Sequence, residues 1–337
     1  MCCPKKPEDP VMKILMKIFM GTGRPINIFM VHTGIKNLKI KPFGGAYSIH
    51  DAETLRCKNE AIQEYIKKES HLDPDQVKND YLTKFKEWMF STHNVKGHEQ
   101  FNELCYTHGT TETFSQFYIR YRNAKRLRIK KGDYFYHSMM QKLWYETNFA
   151  WLDDDEIREG DVLIISVPFA QTGEAPENLE NILTTCDQKS VPVLIDLAYL
   201  NIASGLDINL EHECIEYVTS SLSKTFPVEL NRIGIRLQKK KFEDQLYVIN
   251  EDGYNYINLQ NCFVAKQLMD KFPADYIYKK YLAKQQEFCN EMDLTPSRCV
   301  IFGLDTKDKY PEYKRLDDTA RLCFSRVWDG RMKDDNQ

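Results

Sequence analysis

Four apolar runs lie close together in the middle of this chain: 161–169 (DVLIISVPF), 191–199 (VPVLIDLAY), 215–224 (IEYVTSSLSK) and 232–238 (RIGIRLQ). Each is the length of a strand and continuous rather than alternating, which is the pattern of strands buried on both faces. The stretch between the first two, 170–186 (AQTGEAPENLENILTTC), reads as a loop entering a helix. Apolar strands separated by helical segments constrain the chain to an α/β fold. They predict a mostly parallel central sheet with helices on both faces.

The flanks read differently. An apolar stretch at 11–20 carries Lys13 and Lys17 on one helical face. At ten residues it is too short and too charged to span a bilayer, and it reads as an amphipathic helix packed on protein. A short strand at 26–31 and a turn at Gly44 and Gly45 precede a helix over 52–69. The polar, Pro-broken 71–80 (HLDPDQVKND) predicts a hinge. Beyond it, Leu82, Phe85, Trp88 and Met89 recur at helical spacing. Segment 105–123 reads as a turn then a helix, and 132–137 (GDYFYH) as a short strand. After Lys239 helices dominate until a last strand-like piece at 320–328. The expected organisation is therefore an N-terminal segment (1–79) contributing to a small domain and a dimer interface, a large cofactor-binding domain (80–238) and a C-terminal small α+β domain (239–337).

With 42% hydrophobic and 28% charged residues and a net charge of -3 over 337 residues, the chain is ordinary globular material. That balance gives no reason to expect nucleic acid or an acidic membrane surface as partner. Of ten cysteines only Cys2 and Cys3 are adjacent, and none forms a CxxC or Cys/His cluster. No zinc site and no disulfide framework follow, and reduced thiols predict a cytoplasmic protein. The eight histidines show no metal-ligand spacing either.

Ligands of open α/β sheets sit at the carboxyl ends of the strands. Asp196 ends one run, Tyr199 follows it, and Lys224 closes another in a stretch short of other charge. Gly109, Thr110 and Thr111 begin a helix whose free N–H groups suit a phosphate. Arg232, with hydroxyls from Ser221 and Ser223, completes such a site. His108, beside it, reads as an exposed helix-start histidine.

In this order HGTTE, Gly132 with Asp133, VPFAQTG, LIDLAY, SSLSK with NRIG eight residues beyond, and ARLCFS cover residues 100–328. So arranged, the chain resembles the fold type I pyridoxal-phosphate enzymes, the aspartate-aminotransferase-like class I/II aminotransferases. The resemblance implies a fold type I transferase that forms a Schiff base between Lys224 and pyridoxal 5'-phosphate. It implies that Asp196 pairs with the ring nitrogen and that Tyr199 bonds the phenolic oxygen. Gly109, Thr110, Thr111, Ser221 and Arg232 would hold the phosphate. Arg321 would take the substrate carboxylate, while Tyr47 would reach across a homodimer interface. The implied reaction moves an amino group between an amino acid and a 2-oxo acid.

Two departures stand out. Where the family often has asparagine before a Pro-Thr-Gly turn, this chain has Ala170, with Gln171 next to it. No single aromatic is marked for stacking on the cofactor ring, and Tyr136, His137 and Trp144 remain open. A lyase, decarboxylase or carbon–carbon bond-forming enzyme of the same fold is the alternative reading. A cofactor fold turned interaction protein is the third, and retention of Lys224, Asp196 and Arg232 argues against it.

Overall fold

The computed structural model describes residues 41–137, 148–314 and 319–332. The expected helix at 11–20, the strand at 26–31 and Trp144 lie outside the described residues. Pro42–Gln337 form one compact unit.

The strands are β1 (Asn94–Lys96), β2 (Glu103–Thr107), β3 (Arg126–Ile129), β4 (Phe149–Trp151), β5 (Asp161–Ser166), β6 (Val193–Asp196), β7 (Asp207–Asn209), β8 (Ile215–Ser221), β9 (Gly234–Gln238), β10 (Thr295–Pro296), β11 (Phe302–Asp305) and β12 (Ala320–Cys323). The helices are α1 (Ala52–Lys68), α2 (Pro74–Phe90), α3 (Thr110–Arg120), α4 (Leu179–Gln188), α5 (Gln245–Asn250), α6 (Leu259–Lys271), α7 (Tyr276–Met292) and α8 (Ser325–Trp328).

Seven strands form the central sheet in the order β2-β9-β8-β6-β5-β3-β4. β4, β3, β5, β6 and β8 are mutually parallel. β9 runs antiparallel to both of its neighbours, β8 and β2. Two reversals restore direction, so β2 also points the same way as β8. The carboxyl ends of β2, β3, β5, β6 and β8 therefore share one edge of the sheet with the amino end of β9. Register fixes who meets whom there: Ser166 faces Asp196, Asp196 faces Thr219, and Gly234 lies between Ser221 and Thr107.

The continuous apolar runs explain why both faces are covered. Leu163 and Ile165 enter one hydrophobic cluster with Val193, Ile195 and Val218. Val162 and Ile164 enter the other with Leu127, Leu194 and Tyr217. Alternate residues of one strand thus feed opposite layers. Full burial of each such side chain contributes about 1.5–3 kcal/mol.

Several expectations are corrected. Segment 71–80 is not a hinge: Asp73 caps α2 by accepting from the Asp75 N–H, and Pro74 takes the first turn, where its missing N–H costs nothing. The predicted apolar stripe of α2 is buried as expected, with Leu82, Phe85, Trp88 and Met89 all in the core. Segment 105–123 begins as strand β2 before turning into α3. The short strand lies at Arg126–Ile129, upstream of the expected 132–137, which is turn and helical turn instead. The fourth run is the antiparallel strand of a mostly parallel sheet, in keeping with the expected architecture. Arg236 is the salt-bridged strand residue that a solvated-or-paired reading of it allows: it is buried and paired with Asp244.

Beyond the large sheet, β10, β11 and β12 make a second, antiparallel one. The Cys323 N–H donates to the Phe43 carbonyl at 2.9 Å. That contact sets Phe43 beside β12, and the Ala46 carbonyl, three residues on, meets Lys224 Nζ at 2.6 Å at the large sheet's carboxyl edge. Among the described residues no helix is long and apolar enough to cross a membrane.

Candidate active site

Sheet geometry brings Lys224 just past the end of β8 and Asp196 to the end of β6, on neighbouring strands. The Lys224 Nζ donates to the Ala46 carbonyl at 2.6 Å and sits 5.6 Å from the centre of the Tyr199 ring. Burial pushes its amine from the ordinary lysine value down to about 8. The charges of Arg321 and Arg232 work in the same direction, against Cys323 and Asp196. Asp196 is the mirror case: burial, then the charge of Asp133, pushes its carboxyl up to about 7. An amine and a carboxyl with displaced proton affinities, in electrostatic reach of each other, mark a site built for proton chemistry.

The residues expected to hold a phosphate also converge. Gly109 caps α3 with no side-chain bond, at φ 82°; the Glu112 N–H donates to the Gly109 carbonyl at 3.2 Å, and the N–H groups ahead of it are the orphan donors of a helix start, which suit a ligand. A side chain at Gly109 would collide with the Arg232 guanidinium. A side chain at Gly234 would lie 2.7 Å from the Thr107 hydroxyl and 2.8 Å from the Gly109 Cα. Two glycines thus keep a concave cradle open. Arg232 donates from Nη2 to Thr111 Oγ1 at 3.2 Å and from Nη1 to the Glu229 carbonyl at 3.3 Å, and takes a left-handed φ of 60°. Thr107, which sequence reasoning passed over, has a buried hydroxyl with no hydrogen-bond partner among the described residues.

Ser221 and Ser223 behave otherwise. The Ser221 hydroxyl donates to the Ile233 carbonyl at 2.9 Å and accepts from the Ser223 N–H at 3.2 Å, so it must rotate to reach a phosphate. His108 is exposed and paired with Glu112 at 3.2 Å, the helix-start role expected for it.

Arg321 lies on β12, buried, with its guanidinium 4.3 Å from the centre of the Phe302 ring. Its Nη1 donates to the Ala170 carbonyl and its Nη2 to the Gly45 carbonyl at 3.2 Å, while Nε has no partner. Among the described residues no carboxylate pairs with it. A buried guanidinium held only by carbonyls is an incomplete ion pair, and a ligand carboxylate would complete it. At the first departure, Gln171 gives its amide nitrogen to the Thr319 carbonyl at 2.8 Å.

Tyr47 follows Ala46 in the chain, but its ring faces the cations of Arg326 at 5.0 Å and Arg331 at 6.0 Å. Of the aromatics left open, Tyr136 bonds Ser115 at 3.0 Å. His137 is a core residue bonded to Tyr118 at 2.5 Å, with its proton affinity driven by burial down to about 3. Neither marks a ligand. Tyr134 lies in electrostatic reach of both Asp196 and Arg232, and burial raises its hydroxyl pKa. Its place directly after Gly132 and Asp133 is the signal that could have found it.

As a receptacle, the edge offers an amine, a carboxyl in electrostatic reach of it, an aromatic near both that carboxyl and a guanidinium, and the N–H groups that open α3. That donor set fits pyridoxal 5'-phosphate, whose aldehyde, ring nitrogen, ring face and phosphate call for those four partners.

Comparison with known proteins agrees. Residues 147–293, which include Asp196, Tyr199, Ser221, Lys224 and Arg232, match the family described as Aminotransferase class I and II. The tyrosine aminotransferase of Leishmania infantum superposes with a TM-score of 0.64 at 10% identity, covering 88% of this chain and 94% of that one. The PLP-bound C-S lyase of Staphylococcus hominis gives 0.63 at 12% identity, over 90% and 92%. The histidinol-phosphate aminotransferase of Clostridium acetobutylicum gives 0.59 at 14%, over 85% and 98%. No curated protein matches the sequence.

Proposed function

We propose that this chain, which has the fold of the fold type I pyridoxal-phosphate enzymes and matches the class I and II aminotransferases over residues 147–293, is itself a pyridoxal 5'-phosphate-dependent aminotransferase. The observation that carries the reading is the amine of Lys224, lowered to about 8, in reach of Asp196 and of the unpaired Arg321 guanidinium.

When bound, the cofactor supplies an aldehyde that captures an amine and a protonated ring that withdraws electrons from the adjoining carbon. Lys224 anchors the cofactor through Nζ. Once freed by the substrate amine, its Nζ would be the base that takes and holds the α-proton. Asp196 keeps the ring nitrogen protonated. Tyr199 orients the phenolic oxygen, and Tyr134 supplies the face on which the ring rests. Gly109, Thr110, Thr111 and Arg232 hold the phosphate, with Ser221 after rotation of its hydroxyl and Thr107 as an added donor. Arg321 takes the substrate carboxylate, which fixes the α-proton toward Lys224. In the same reading the chain works as a cytoplasmic homodimer, and Tyr47 crosses to the partner's phosphate.

Purified, cofactor-loaded protein mixed with a panel of amino acids should release one equivalent of 2-oxo acid from its donor and then stop until an acceptor is added. The loss of the asparagine at Ala170 favours a second reading, a lyase, because it weakens the hold on the phenolic oxygen. Continuous release of ammonia with no acceptor would decide for the lyase.

Two further outcomes follow from the site. Only a neutral amine attacks an aldehyde, so the rate of cofactor attachment should rise with pH through about 8 and level off above it. A solvated lysine would keep gaining until ~10.4. Stopped-flow absorbance of the attachment step distinguishes the two. Arg321→Lys should lower kcat/KM roughly 10–150-fold, the worth of about 1.5–3 kcal/mol for the lost charge-assisted bond. The variant and the parent should turn over an amine lacking a carboxylate equally slowly.

A further inference from the structure

Behind Asp196 stands a second buried carboxyl, Asp133, whose role nothing above assigns. Its Oδ1 accepts from the Ser166 hydroxyl at 2.5 Å and from the Tyr134 N–H at 2.6 Å, and its Oδ2 accepts from the Ser166 N–H at 3.1 Å. Asp196 receives less: the Ala198 N–H at 3.0 Å on Oδ1, and on Oδ2 the Ser166 Oγ at 3.4 Å. A serine hydroxyl has one proton to give. With that proton spent on Asp133, the contact between Ser166 Oγ and Asp196 is a hydrogen bond only if Asp196 carries a proton and donates it. Burial raises the pKa of both carboxyls, but three donors against one make Asp133 the member better able to hold negative charge. Asp196, with one backbone donor and a like charge behind it, is the member that holds the proton.

We propose that Asp133 is a positioning residue: its fixed charge, linked through Ser166, loads Asp196 with the proton that passes to the ring nitrogen of the cofactor. The inference rests on the cofactor assignment above. In the transfer the O–H bond at Asp196 Oδ2 breaks and an N–H bond forms at the ring nitrogen. The electron pair stays on Asp196, which becomes the anionic partner of a cationic ring, and Asp133 remains anionic throughout. The raised proton affinity of Asp196 agrees with this direction, since burial and the Asp133 charge are its first two causes. The charged and titratable groups facing the pair are Lys130 toward Asp133, and Lys224 and Tyr134 toward Asp196. Lys130 and Lys224 pull against the effect, so the loss of the Asp133 charge leaves them unopposed.

The test uses the full chain with and without pyridoxal 5'-phosphate. In ligand-free protein the infrared carbonyl band of a protonated carboxylic acid, assigned by its loss in Asp196→Asn, should titrate with a midpoint near neutral pH. In Asp133→Asn that midpoint should fall by about 1–2 pH units. In loaded protein, nitrogen NMR of ring-labelled cofactor should show the ring proton lost at a pH lower by a similar amount. A merely structural Asp133 would weaken cofactor binding alike at every pH and leave both midpoints in place, which overturns the proposal. Should Asp133→Asn not fold, Ser166→Ala strips the charge holder of its hydroxyl and should move the infrared midpoint the same way; no movement there overturns it too. Failure of the cofactor to attach at Lys224 would instead sink the cofactor assignment, and the ligand-free titration would still read the pair.

Discussion

Lys224→Ala retains no cofactor through borohydride reduction, and no peptide of the variant carries the reduced adduct; in the parent, peptide mapping finds the adduct on Lys224. Turnover falls by about 10²–10⁴-fold or more, because the variant loses both the anchor and the base. The fold survives the change. A lysine whose folded pKa is depressed to about 8 is destabilising while protonated, so its removal relieves the ligand-free protein below that pH. The lost bond to the Ala46 carbonyl offsets about 1 kcal/mol of that relief. On these two terms ligand-free Lys224→Ala should unfold at pH 7 no lower than the parent, read by thermal unfolding. An adduct found on any other lysine would end the assignment of this site.

For Asp196→Asn, activity and stability move in opposite directions. An amide cannot hold the ring nitrogen protonated, and turnover drops by about 10²–10³-fold, the usual worth of one preorganised electrostatic group. Stability follows from linkage. The folded pKa of Asp196, about 7, lies above its unfolded value near 3.9, so the folded state binds the extra proton between those limits. The group's contribution is fully present below pH 4 and is lost as pH rises to about 7. Relative to the parent, ligand-free Asp196→Asn should gain up to about 1.4 kcal/mol for each pH unit across that window and level off above it. Unfolding midpoints at pH 4, 5.5, 7 and 8 give the slope. A constant difference between the two proteins over that range would show that the carboxyl is not held protonated by burial.

Much of this was legible in the chain. The apolar runs announced the sheet because strands buried on both faces leave no polar positions to disguise them. Lys224, Asp196 and Arg232 were legible because strand ends put polar residues next to apolar runs, and a lysine there has little reason to be structural. Direction was not legible: nothing in RIGIRLQ distinguishes an antiparallel β9 from a parallel one, since both of its faces are buried alike. Segment 132–137 misled because Tyr134, Phe135 and Tyr136 read as a strand, yet Gly132, at φ 83°, turns the chain and delivers Tyr134 to the site. HLDPDQ looked like a break because proline and aspartates mark turns and helix starts equally, and only the bond from the Asp75 N–H to Asp73 decides between them. Thr107 and the pairing of Asp133 with Ser166 depend on contacts between strands far apart in sequence, which no local pattern records.

The contact of Lys224 with Ala46 joins residues 178 positions apart, and Arg321 reaches back 276 positions to Gly45. A nascent chain cannot make the first contact before Lys224 is synthesised, nor the second until Arg321, near its end, has followed. Until then the amine is wet and cationic, with the reactivity of any other lysine toward the aldehydes of the cell. Collapse of the finished polypeptide loosens the amine's hold on its proton, so the nucleophile gains reactivity in the same event that builds its receptacle.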